Sequence, residues 1–152
     1  MTENVLIQLA IVILFLPLLG FVVTLFFGTK VKQVFLFENF ILVLSFLLTV
    51  ALLIIKLNYY PDKNIIGEIH WISLNNIPVI GTCNIDLGIL IDNISVLMIF
   101  AVILISMVVH IFSIAYMKGD KRYNRYFAYL GIFTFSMTGI VFTNNLLMMY
   151  IF

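Results

Sequence analysis

The chain reads as an all-α polytopic membrane protein: four complete transmembrane helices, the start of a fifth, and a short extracytoplasmic β-hairpin between helices 2 and 3. Three observations predict this. Residues 94–117 and 127–142 contain no Asp, Glu, Lys or Arg. The residues between them, Lys118-Gly119-Asp120-Lys121-Arg122-Tyr123-Asn124-Arg125-Tyr126, form a basic turn. The whole chain is 64% hydrophobic and 10% charged, with a mean hydropathy of +1.21, whereas a soluble domain is about 25% charged.

The first span covers residues 5–27. Met1 to Asn4 carries an acid and no base, the apolar run outlasts a signal-peptide core, and no small-residue cleavage site follows, so the span is read as retained. Pro17 lies inside it and removes a backbone donor, which predicts a bend at Leu16-Pro17-Leu18-Leu19-Gly20. The second span covers 39–55. Glu38 stands in front of it, where a carboxylate suits a helix N-terminus, and Ser45 and Thr49 are expected to bond back to their own helix. The third span, 94–117, follows Asp92, which with Ser95 three residues on reads as a cap. In the fourth, 127–142, Ala128, Gly131, Thr134 and Thr138 gather on one side and predict close helix packing. A fifth apolar run occupies 145–152. From Asn144 to Phe152 a helix reaches only about 13 Å, and the hydrocarbon core needs about 30 Å. The chain is therefore expected to be the N-terminal part of a longer membrane domain.

Residues 58–92 form the one sizeable segment between spans. Glu68 to Ser73 and Asn84 to Ile89 alternate polar with apolar residues, and Asn75-Asn76-Ile77-Pro78 with Gly81-Thr82 supplies turn chemistry. A hairpin over the membrane surface follows, with Tyr59, Tyr60 and Trp71 as interfacial anchors and His70 on the surface. Lys30 and Lys32 in loop 28–38, and Lys118, Lys121, Arg122 and Arg125 in loop 118–126, assign both loops to the cytoplasmic or matrix side. The hairpin segment is richer in acids than bases, with Lys56 at its border able to snorkel to the interface. The N-terminus is then outside.

A net charge of +1 gives no broad basic surface for nucleic acid. The bilayer is the expected partner, and the four cations of loop 118–126 fit orientation, anionic lipid or a partner subunit. Cys83 is the single cysteine, so neither an intramolecular disulfide nor an iron–sulfur or zinc ligand set is available. No dinucleotide fingerprint, P-loop or nucleophile elbow occurs. No residue is assigned a catalytic, cofactor-binding or metal role.

On a helical wheel at about 100° per residue, Asp92, Ser95, Ser106, His110 and Ser113 share a sector of roughly 60°. One face of the third helix is polar and should meet other helices. His110 is the proton-path candidate, because imidazole titrates near neutrality and exchanges protons at two nitrogens. The competing reading is a neutral histidine hydrogen-bonded to a neighbouring helix.

Leu90-Ile91-Asp92-Asn93-Ile94-Ser95, His110-Ile111-Phe112-Ser113-Ile114-Ala115-Tyr116-Met117, Arg125-Tyr126-Phe127-Ala128-Tyr129 and Asn145-Leu146-Leu147-Met148-Met149-Tyr150 occur in this order. Together with the early Pro17 bend and Trp71, they make the whole chain resemble the antiporter-like membrane subunit L of respiratory complex I, NADH:quinone oxidoreductase, called subunit 5 in mitochondria. Asn93, in place of a commoner glycine, and Gly131-Ile132, in place of a polar–apolar pair, depart from the pattern. The resemblance implies a proton-pumping module in the bacterial or mitochondrial inner membrane. Electron transfer from NADH to quinone takes place in other subunits, and no cofactor is held here. It also implies that the family's channel glutamate and lysines follow later in such a chain, so that Asp92, Ser95, His110, Ser113, Tyr116 and Phe127 belong mostly to the scaffold before the channel. Two alternatives remain open: the large subunit of a multisubunit cation/proton antiporter or membrane hydrogenase, and a non-catalytic membrane scaffold.

Overall fold

The structure, a computed structural model, describes residues 3–28, 34–61, 63–77, 81–120 and 122–152. In order the elements are α1 (Glu3–Phe27), α2 (Val34–Tyr59), β1 (Ile65–Ile77), β2 (Gly81–Ile91), α3 (Asn93–Tyr116), α4 (Tyr123–Phe142) and α5 (Leu146–Ile151). Four helices are long and apolar enough to cross a membrane: Asn4–Phe27, Phe35–Tyr59, Asn93–Tyr116 and Tyr123–Phe142.

The expected spans are all present, and two are longer than their hydropathy suggested. Helix α4 starts four residues before Phe127, and α2 extends past 39–55 at both ends. A charged residue interrupts a hydropathy run without interrupting a helix, since Glu, Lys and Arg are good helix formers. Two expectations change as a result. Glu38 does not precede the second helix; it is its fifth residue. Lys56 does not reach out to the interface. It lies in the last turn of α2, fully buried, because the chain folds back beyond Tyr59 and brings carbonyl oxygens over it. Helix α1 runs unbroken through Pro17.

The helices close into a ring in which α1 packs on α2 and α4, and α3 packs on α2 and α4. The expected packing face of α4 is buried at Ala128, Gly131, Thr134 and Thr138. Both threonines return their hydroxyls to the backbone one turn earlier, Thr134 Oγ1 to Leu130 O at 3.0 Å and Thr138 Oγ1 to Thr134 O at 2.7 Å, which hides polar atoms at a tight contact. Leu6, Ala10 and Ile13 of α1 meet Leu52, Ile99, Ile103 and Phe142 in the core. Phe40, Leu47, Ile105, Phe112 and Phe133 point outward, each more than half exposed. A ring with an apolar rim suits lipid as its surroundings.

Strands β1 and β2 pair antiparallel from Ile65↔Ile91 up to Ile77↔Gly81, with irregularities between His70 and Ile72 and between Leu74 and Ile77. The expected hairpin is therefore present, with strands longer than the alternating stretches that predicted it. The turn at 78–80, and the side chains of His70, Trp71 and Cys83, lie outside the described residues, as do Lys30, Lys32 and Lys121. Ile65 and Ile91 are buried, so the base of the hairpin stoppers one end of the ring. The loop after α4 clips onto it: Ile89 bridges to Thr143, Asn144 N donates to Gly88 O at 3.3 Å, and Asn144 Nδ2 donates to Glu68 Oε1 at 3.1 Å. At the opposite end Asn124 Nδ2 donates to Gly28 O, which holds the end of α1 against the start of α4. Asn145 caps α5 by accepting from Leu147 N at 3.0 Å.

Candidate functional site

The polar face expected on α3 turns inward. Ser95, His110 and Ser113 are buried, and Ser106 and Asp92 are half-buried. At its start Asp92 Oδ1 accepts from Ser95 N at 2.5 Å in extended backbone geometry, which makes it the cap that was expected. That backbone bond, with help from the Ser95 hydroxyl and the Lys56 charge, holds the Asp92 carboxyl below the usual carboxylate range. Toward the other end Ser113 Oγ lies 3.2 Å from Tyr126 OH, and Tyr123 OH donates to Ile114 O at 3.2 Å, so α3 and α4 are joined there by hydroxyls.

His110 is 1% exposed. Its Nδ1 lies 2.8 Å from Ser106 O on its own helix, and a carbonyl only accepts, so Nδ1 carries the hydrogen in this arrangement. The partner is thus its own backbone and not a neighbouring helix. Nε2 is left as an acceptor, buried and without a hydrogen-bond partner. The ring faces Phe127 at 6.0 Å, inside an aromatic cluster in which Phe35, Tyr123 and Phe127 stand 4.8 to 5.8 Å apart.

A second polar face, on α2, was not expected. Glu38, Ser45, Thr49 and Lys56 recur at spacings of seven, four and seven, share a sector of about 40° at about 100° per residue, and are all buried. Lys56 ends this face with Nζ donating to Tyr60 O at 2.7 Å and to Lys63 O at 2.6 Å. Thr49 Oγ1 donates to Ser45 O at 2.8 Å, as expected, while Ser45 Oγ has no partner. At the other end Glu38 is 1% exposed and neither of its carboxylate oxygens has a hydrogen-bond partner. Thr24 of α1 faces the same carboxyl, and its Oγ1 is also without a partner. One glycine makes the space: a Cβ on Gly131 would overlap Glu38 Oε1, whereas a Cβ on Gly20 would stand at ordinary contact distance, 3.4 Å from Glu38 Cγ.

Sequence reasoning missed Glu38 because hydropathy ended the helix at it. The available signal was the spacing itself, which appears once the wheel is drawn from residue 38 to residue 56. Among the described residues no group of three or more His, Cys, Asp or Glu side chains is placed to hold a metal ion.

A ring of membrane-length helices with ionisable side chains turned to its interior defines a polytopic membrane protein built around an internal polar column. Residues 77–127 match the family described as NADH-Ubiquinone oxidoreductase (complex I), chain 5 N-terminus. NADH-ubiquinone oxidoreductase chain 5 of Trichophyton rubrum is 35% identical over 144 residues, 93% of this chain and 21% of that protein. Chain 5 of Neurospora crassa is 37% identical over 142 residues, 91% of this chain and 19% of that protein. A Neurospora crassa protein named probable intron-encoded endonuclease 4 has the same 37% identity over 142 residues, 25% of its length. The chain is similar to complex I chain 5 and spans about a fifth of the length of the chain 5 relatives it matches.

Proposed function

We propose that this chain is part of a proton-translocating membrane subunit of NADH:quinone oxidoreductase, a translocase in which electron transfer in other subunits drives protons through this one. Its relationship to chain 5 over nine-tenths of its length is the observation that carries the reading. NADH and quinone are used elsewhere in the complex, the partners are its other membrane subunits and the bilayer, and the location is a bacterial or mitochondrial inner membrane. The antiporter, hydrogenase and scaffold alternatives have no comparable support. The likeness to an endonuclease has the identity and extent of the likeness to chain 5 of the same organism, so it is accounted for by one shared membrane segment.

His110 is the proton-path residue of this reading. With Nδ1–H tied to the Ser106 carbonyl, a proton arrives and leaves at Nε2. His110→Ala in the assembled complex should keep quinone reduction and lower the number of protons moved per electron. Intact translocation in an assembled His110→Ala complex rules the residue out. The N-terminus is placed outside and both loops 28–38 and 118–126 inside. A cysteine introduced near Lys121 should then resist an impermeant thiol reagent added from the outside, and labelling from that side would reverse the topology.

A further inference from the structure

We propose that Glu38 is a second proton-binding site of this bundle, an interior carboxyl set between Thr24 of α1 and Gly131 of α4 that exchanges its proton with the basic-turn end. The proposal deepens the translocator reading and rests on it for the proton's destination. The binding of the proton stands on the geometry of Glu38.

A carboxylate taken out of water without a donor is costly, by several kcal/mol even after relaxation, so a buried glutamate calls for an account of what it binds. The one polar group set beside it is the Thr24 hydroxyl, which faces the carboxyl without meeting hydrogen-bond geometry. Both oxygens are unbonded, and among the described residues no charged group faces them. Helix α1 presents Gly20, Phe21 and Thr24, and α4 presents Gly131. On α3 His110 packs on Phe127, about 6 Å along α4 from Gly131 at 1.5 Å per residue.

The cradle is built for this side chain and for a small ligand. Gly131 leaves room for the carboxyl where any larger residue would overlap it. A metal ion such as calcium or magnesium needs about six oxygen ligands, and the site offers two from Glu38 and one from Thr24. A proton needs one. Uptake transfers a proton from hydronium to a carboxylate oxygen, forming an O–H bond and leaving water, with no change of oxidation state. The Thr24 hydroxyl, which faces the carboxyl, is the group that can accept the new O–H once the two draw together, and release reverses the step.

Position favours exchange. The other buried side-chain atoms without partners include Asn39 Oδ1, Asn124 Oδ1 and His110 Nε2, all toward the basic-turn end. Groups of this kind are normally met by internal water, which would link the carboxyl to the aqueous side.

The test is the infrared difference spectrum, acid minus alkaline, of the complete complex carrying Glu38→Gln. A deuterium-sensitive carboxylic C=O band present in the unaltered complex should be lost, and protons moved per electron should fall while quinone reduction is kept. Retention of every such band overturns the proposal. If Glu38→Gln prevents assembly, Thr24→Val removes the acceptor and should shift the same band, and an unshifted band overturns the proposal as well. A lost band with an unchanged proton ratio removes Glu38 from translocation if His110→Ala lowers that ratio. If His110→Ala also leaves it unchanged, the translocator reading fails and proton binding at Glu38 survives.

Discussion

The two ends of this bundle treat their polar side chains in opposite ways. At the hairpin end Lys56 has two carbonyls, Asp92 has the Ser95 amide, and Glu68 has Asn144. At the basic-turn end Thr24, Glu38, Asn39, Asn124 and His110 each keep a buried atom without one. The same helices supply both ends, so composition does not explain the difference. Backbone does. Where α2 ends, the chain folds back and offers free carbonyls, and where α3 begins it offers free amides. Glu38 and His110 sit more than a turn inside their helices, where the backbone groups are already bonded to each other. Partnered groups fix the hairpin end, and open ones leave the other end able to exchange.

The strongest way to break the comparison is to fill the open end. Gly131→Val drives a side chain into Glu38 Oε1 and toward the Phe21 backbone. Overpacking of this severity costs about 3 kcal/mol, and the subunit should fail to assemble, read as loss of its complex on native gels. Normal assembly would mean that the Glu38 carboxyl can turn aside, so that the open end is not closely packed. Next in size is Lys56→Met, which keeps the volume and leaves two carbonyls without their donor. About 2 kcal/mol should be lost, seen as a lower midpoint of thermal unfolding of the full-length subunit in its complex. An unchanged midpoint would show that the partnered end is not where stability resides.

The architecture was legible because runs without charge set the helices and period-two alternation set the hairpin. Asp92 was legible as a cap because the rule is local, a carboxylate three residues before an amide. The polar face of α3 was legible because its limits were drawn correctly. That of α2 was not, since Glu38 was taken as a boundary when it was an interior residue, and burial by three helices is not written in any one of them. The partners of Lys56 also escaped, because they are backbone carbonyls whose position depends on how the chain turns after Tyr59.

Asp92 supplies a smaller effect and a pH dependence. Its carboxyl is held below the usual range by the Ser95 amide, so the charged form stabilises the fold at and above ordinary carboxylate pKa values. That contribution is lost as the pH falls through the lowered value. Asp92→Ala should cost about 1 kcal/mol near neutrality and remove this acid-side loss. An unchanged acid slope in the variant would assign the loss to other carboxylates.

The smallest expected effect tests how far the open end reaches along α2. Ser45 lies two turns on from Glu38 toward Lys56, and its Oγ is buried without a partner, whereas Thr49 one turn on is bonded to Ser45 O. Removing an unbonded hydroxyl relieves a desolvated group, and removing a bonded one forfeits the bond, so the two substitutions should differ in sign. Ser45→Ala should leave stability unchanged or raise it by up to about 1 kcal/mol, and Thr49→Val should lower it by about 1 kcal/mol, read from the unfolding midpoint. Were Ser45→Ala to destabilise as much as Thr49→Val, the serine hydroxyl would have a partner. The change from open to partnered groups would then fall between Glu38 and Ser45, within the first half of the helix.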